Sequence, residues 1–155
     1  MAKQGDLLGA YLSVAKCVKA APTFVPGLLE MARLSVLLPP GRVPGHRPGL
    51  RERARLLRDA VEASERAAGT VVELAYNVHR LDDDTVKAQP LFEEAAREAE
   101  RLLVDAWAGL IESLCEQEKF AEARALVARA RTVFPASIAI EQAAIWLPKR
   151  KKTVR

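Results

Sequence analysis

Residues 104–135, VDAWAGLIESLCEQEKFAEARALVARARTVFP, decide the fold. Trp107, Leu110, Ile111 and Leu114 recur at spacings of three and four, which places them on one face of a helix. A polar break at residues 116–119 ends that stripe. A second one follows through Phe120, Ala123, Leu126, Val127, Ala130 and Phe134, and Pro135 stops it. The stretch is therefore a helix pair. The pattern also repeats along the chain: the small residues Cys17, Ala60, Ala95 and Ala130 lie 43, 35 and 35 positions apart, each three residues after a bulkier apolar side chain (Val14, Leu57, Phe92, Val127). A period in the thirties marks an array in which each helix pair buries its apolar face against its neighbours.

The other units keep this phase. Val71, Leu74, Ala75 and Val78 make a first-helix stripe, followed by Ala88, Phe92 and Ala95; no proline closes this second helix, so it is expected to run long. The unit before has Leu28, Met31 and Ala32, then Leu57 and Ala60. Its helices are separated by PPGRVPGHRPG, residues 39–49, whose four prolines and three glycines predict an extended surface loop. At the front, Gly5, Asp6, Ala10, Val14, Cys17 and Pro22 predict a turn and a second helix without a first. At the back, Ile138, Ala143, Ala144 and Ile145 start a final helix.

This layout resembles the tetratricopeptide (TPR) repeat, in which the first helix carries W-x2-L, the second A-x3-F-x2-A, and a proline follows five residues after the last alanine. Trp107, Leu110, Ala123, Val127, Ala130 and Pro135 occupy those places. Ile111 and Leu114 stand where the family has Gly and Tyr, and Arg53 stands where it has Ala. The resemblance implies an all-α fold of antiparallel helix-pair repeats stacked into a short right-handed superhelix. Residues 1–148 would form one TPR-like domain with a loop insertion at 39–49, ahead of a basic tail at 149–155. Seven helices are expected, with Ala60, Ala95 and Ala130 where neighbouring helices approach most closely.

Composition fits an ordered helical domain: 155 residues, 50% hydrophobic but 5% aromatic, so small side chains dominate the helix contacts. No apolar run reaches the length of a membrane span, and MAKQGDLLGAY lacks a signal-peptide layout, so an intracellular protein is expected, in the cytoplasm before the nucleus or an organelle. Cys17 and Cys115 have no metal-ligand spacing and are assigned to helix packing or to the groove. No Gly-rich phosphate loop, metal cluster or nucleophile with a base occurs, so neither an enzyme nor a cofactor is expected. The run Asp82, Asp83, Asp84 is expected to cap the helix after it.

In TPR arrays the first helices line a concave face. By that resemblance the partner-binding candidates are Arg33, Tyr76, His79, Arg80, Glu112, Glu116 and Trp146, with Cys115 beside them, and the expected function is a protein–protein interaction scaffold or adaptor that holds a partner peptide or subunit within a larger complex. The carboxylate clamp of some TPR domains has only Arg33, Asn77 and Arg80 as loose counterparts. The alternative is RNA binding, because WAGLIESLCEQEKFAEA also resembles the pentatricopeptide (PPR) repeat; against it, Ala108 replaces the base-reading polar residue. Lys149, Arg150, Lys151 and Lys152 in the tail offer a contact for nucleic acid, at a net charge of +4. The apolar side of residues 6–21 is expected to exceed what the next helix pair covers, which predicts a second chain over it and an oligomer or complex subunit.

Overall fold

A computed structural model describes residues 4–39 and 49–148, with side chains from residue 7 onward. The interior of the 39–49 loop and the tail residues Lys149, Arg150, Lys151 and Lys152 lie outside the described residues. Every regular element described is a helix: α1 Gln4–Ala20, α2 Val25–Ser35, α3 Leu50–Ala63, α4 Ala68–Arg80, α5 Thr85–Glu116, α6 Phe120–Val133 and α7 Ile138–Ala144. The protein is all-α. Within the span that the repeat pattern treats as one domain, the chain packs as two compact units, Met1–Glu98 and Ala99–Arg155, each with its own core.

In the first unit sequence neighbours pack on one another, α1 on α2, α2 on α3 and α3 on α4. Leu28, Met31 and Leu34 of α2 interlock with Leu56, Leu57, Ala60 and Val61 of α3 and with Val71 and Leu74 of α4, and Ala95 of α5 joins them. Turn chemistry sets the joints. Pro22 follows the last turn of α1, and Pro26 occupies the first turn of α2, where its missing N–H costs nothing. Gly27, the next residue of that turn, is buried. A Cβ there would lie 2.9 Å from the Phe24 ring and 3.2 Å from a Val18 methyl, so a side chain at 27 would push both away and loosen the contact between α1 and α2. After α3, Glu65 and Arg66 adopt left-handed φ of 52° and 62°, and the Arg66 amide donates to the Val61 carbonyl at 2.8 Å, which closes the helix end. Asp84 caps α5 as expected: its carboxylate accepts from the Lys87 amide at 2.9 Å and pairs with the Lys87 ammonium at 2.6 Å.

The second unit consists of the remainder of α5 with α6 and α7. Ile111 and Cys115 pack with Ala123, Val127 and Ala130 of α6 and with Ile140 and Ala143 of α7. Trp107 stands edge-on to Phe134, with ring centres 5.6 Å apart, and Arg129 lies 5.2 Å over its ring. A bidentate pair, Arg131 to Glu141 at 2.7 Å, ties α6 to α7.

Ala60, Ala95 and Ala130 are 0%, 2% and 0% exposed, so the periodic small positions are closely packed. Three expectations are corrected. The second helix of the repeat that begins at Val71 and the first helix of the repeat that ends at Pro135 are one helix, α5, because EEAAREAERLLVDAWA consists almost entirely of good helix formers with no breaker. Cys17 is exposed; the packed side of α1 is set by Leu7, Tyr11, Val14 and Val18, and Cys17 falls beside it. That packed side is also covered by its own chain, since Tyr11 is 0% exposed and Leu7, Leu8, Val14 and Val18 rest on the same core. The side of α1 that carries Leu12, 42% exposed, stays open and borders a cleft with Ala15, Val18 and Met31.

Four carboxyls, Glu30, Asp84, Glu94 and Glu141, are held below their ordinary pKa chiefly by hydrogen bonds from Arg33, Lys87, Arg66 and Arg131 respectively. Each stays charged in the folded chain at a pH where the unfolded chain has begun to take up protons. Their contribution is thus complete above the ordinary carboxylate pKa, about 4, and is lost as pH falls through the lower folded values. All four sit at the surface, so the effect is small and screened by salt. The melting temperature is expected to fall between about pH 5 and pH 3, less steeply in about 1 M salt than at low salt; an equal slope in both would contradict this account.

Candidate partner-binding surfaces

Helical periodicity brings Tyr76, His79 and Arg80 to one side of α4, three and four residues apart. Phe92 meets them there: its ring is 5.0 Å from Tyr76 and 6.2 Å from His79, both edge-on. The Arg80 guanidinium lies 4.8 Å over the Tyr76 ring. Phe92 is half-buried and Tyr76 is 43% exposed, so the inner ring anchors the outer ones while one face of the cluster remains open. Arg80 makes no ion pair among the described residues, and its charge is offered outward. The notable addition to the sequence-derived set is Phe92, which the repeat pattern assigns to helix packing.

Arg33 lies elsewhere in the first unit, on α2, where its Nε donates to Glu30 at 2.8 Å. It borders a cleft of about 330 Å³ shared with Pro26, Leu29, Arg53, Leu57 and Glu73. Inside, the Arg53 Nε donates to the buried Asn77 Oδ1 at 3.1 Å, and Arg53 faces Glu73 at 3.8 Å. Asn77 is thus committed to Arg53 and does not stand beside Arg33 and Arg80 as a clamp would require. Each guanidinium on this cleft has a carboxylate at hand, which leaves little net charge for a ligand.

In the second unit Glu112 and Glu116 are exposed one turn apart at the end of α5, a helix with no basic residue in its last turn. Trp146, just past α7, is 68% exposed, beside Ile145 at 79%. Cys115 is buried against α6 rather than placed in a groove, because it shares a face with Ile111. Leu102, Leu103 and Leu110 are each nearly half exposed, which corrects the placing of Leu110 on the packed stripe with Trp107, Ile111 and Leu114. Among the described residues no three His, Cys, Asp or Glu side chains gather as metal ligands do. No described helix is long and apolar enough to cross a membrane.

A protein of Myxococcus xanthus, described as an uncharacterized 18.1 kDa protein in the carS 3′ region, is 32% identical to this chain over 139 residues, which are 90% of this chain and 79% of that protein. No protein-family model matches the sequence. No solved structure matches it either.

Proposed function

The chain belongs to one family with the 18.1 kDa Myxococcus xanthus protein, and from that premise we propose that it is a protein-interaction scaffold, a TPR-like helical array that holds a partner protein within a larger assembly. The observation that carries this is the open Tyr76–Arg80 stack backed by Phe92. Tyrosine and arginine are the residue types that dominate binding energy at protein interfaces, and here the ring is already held in place, so little side-chain entropy remains to be lost on binding. The buried small residues at a 35-residue period and the packing of helix on next helix support a stacked-pair arrangement. No catalysis is proposed, and the expected setting is intracellular.

The test is affinity capture from native lysate with the full chain as bait, at low and high salt, with and without nuclease. A salt-resistant, nuclease-insensitive protein should be retained, and Tyr76→Ala or Arg80→Glu should each reduce its retention at least about tenfold, the weight of a moderate interface hot spot. Partners that vanish with nuclease would replace this reading with RNA binding, in which the same exposed ring would stack on a base.

A further inference from the structure

In the second unit α5 is apolar on two sides. Val104, Trp107, Ile111 and Leu114 face α6 and α7, and are packed. Ala99, Leu102, Leu103, Ala106 and Leu110, at spacings of three and four, form a second stripe on another side, where Leu102, Leu103 and Leu110 remain 49%, 43% and 49% exposed. A helix that is apolar all round is a buried helix, so this stripe lacks a cover. Gly109 lies on the same side. An interior helical glycine costs stability relative to alanine, yet a Cβ at Gly109 would meet nothing within 4 Å. Nothing among the described residues requires the missing side chain; a second helix laid against Ala106 and Gly109 would.

The edge of the stripe says what that helix carries. Asp105, Glu112 and Glu116 lie along it at spacings of seven and four. Asp105 has Arg101 at 3.1 Å, but Glu112 and Glu116 have no cation within ion-pair distance among the described residues. Two carboxylates one turn apart repel, and at a helix C-terminus they also oppose the negative end of the helix dipole. The sequence breaks a local rule twice beside an uncovered apolar face, as functional surfaces do. We infer that residues 99–110 of α5 dock an amphipathic helix of a partner protein whose apolar face is flanked by lysine or arginine, the basic edge lying on Glu112 and Glu116. A second copy of this chain, packed two-fold on the stripe, would set the acidic edge against itself. This face shares no residue with the Tyr76–Arg80 surface.

The probes are two synthetic helical peptides of about 18 residues, long enough to cover the roughly 17 Å of the stripe, with identical leucine faces flanked by lysine in one and by glutamate in the other. Fluorescence anisotropy reads their binding to the full chain. The lysine-flanked peptide should bind at least about tenfold tighter, against the overall net charge of +4, which on its own favours the acidic peptide. Leu102→Gln with Leu110→Gln, both at exposed positions, should weaken it at least about tenfold with an unchanged helical circular dichroism signal. Glu112→Lys with Glu116→Lys should reverse the preference between peptides, while Arg58→Glu, an exposed change on α3, should leave binding unchanged. Equal binding of the two peptides, a preference for the acidic one, or indifference to both double variants would overturn the inference. So would a dimer in sedimentation that the two glutamines dissociate, since the stripe would then be a self-interface.

Discussion

Tyr11→Ala should cost the first unit about 3–5 kcal/mol, the largest effect expected of any single change in α1. The side chain is fully buried among core residues that include Leu28, Met31 and Leu57, and burial, reinforced by the Glu52 carboxylate, pushes its phenol pKa up. Truncation removes a whole ring's worth of contacts and leaves a cavity in that core. Tyr11→Phe keeps the ring and should cost far less. Urea unfolding of the full chain, followed by circular dichroism, measures both. A loss below about 1 kcal/mol for Tyr11→Ala would mean that α1 is not docked on α2 and α3 in solution, and would return residues 6–21 to an outside partner.

Ala95→Leu and Ala130→Leu should each destabilise by about 1–3 kcal/mol through overpacking, since both sites are closed and three further heavy atoms have no room. Ala128→Leu, two residues from Ala130 on the exposed side of α6, should be nearly silent. The contrast isolates packing from helix propensity, because alanine and leucine are both good helix formers. Equal melting temperatures for Ala130→Leu and Ala128→Leu would show that the 35-residue period has been assigned to the wrong helix face. The second unit is the more sensitive arm of the test, because its buried core is small, with Ile111, Val127 and Ile140 as its larger aliphatic side chains.

Much of this architecture is legible in the residues themselves. Spacings of three and four mark the helix faces, and the interval from Ala60 to Ala95 to Ala130 marks positions that are indeed closed. Prolines mark the joints they occupy, at Pro22, Pro26 and Pro135. Where the chain has no breaker, spacing alone cannot tell two helices from one: Ala95 and Trp107 belong to neighbouring units of a repeat pattern and to one physical helix. Cys17 shows the converse limit. A small residue in phase predicts close packing only if a helix faces it, and phase carries no knowledge of neighbours. For the candidate surface, phase places Arg33, Tyr76, His79, Arg80, Glu112, Glu116 and Trp146 on exposed positions, which is what helical geometry can give. It does not reveal that Phe92 braces Tyr76, that Arg53 engages Asn77, or that Leu102 and Leu110 lie open, because each depends on which helix lies alongside.

In the first unit three successive helices each lean on the one made just before, α2 on α1, α3 on α2 and α4 on α3. Such short-range topology lowers the entropy lost in closing contacts, and chains built this way reach the native state in microseconds to milliseconds. On the ribosome it has a further effect. Synthesis runs at about 5–20 residues per second, far slower than helix docking, so each helix can settle on its predecessor as it emerges. Once Ala95 has cleared the exit tunnel, every residue of the first core is present, and that core can close while α6 and α7 are still being translated.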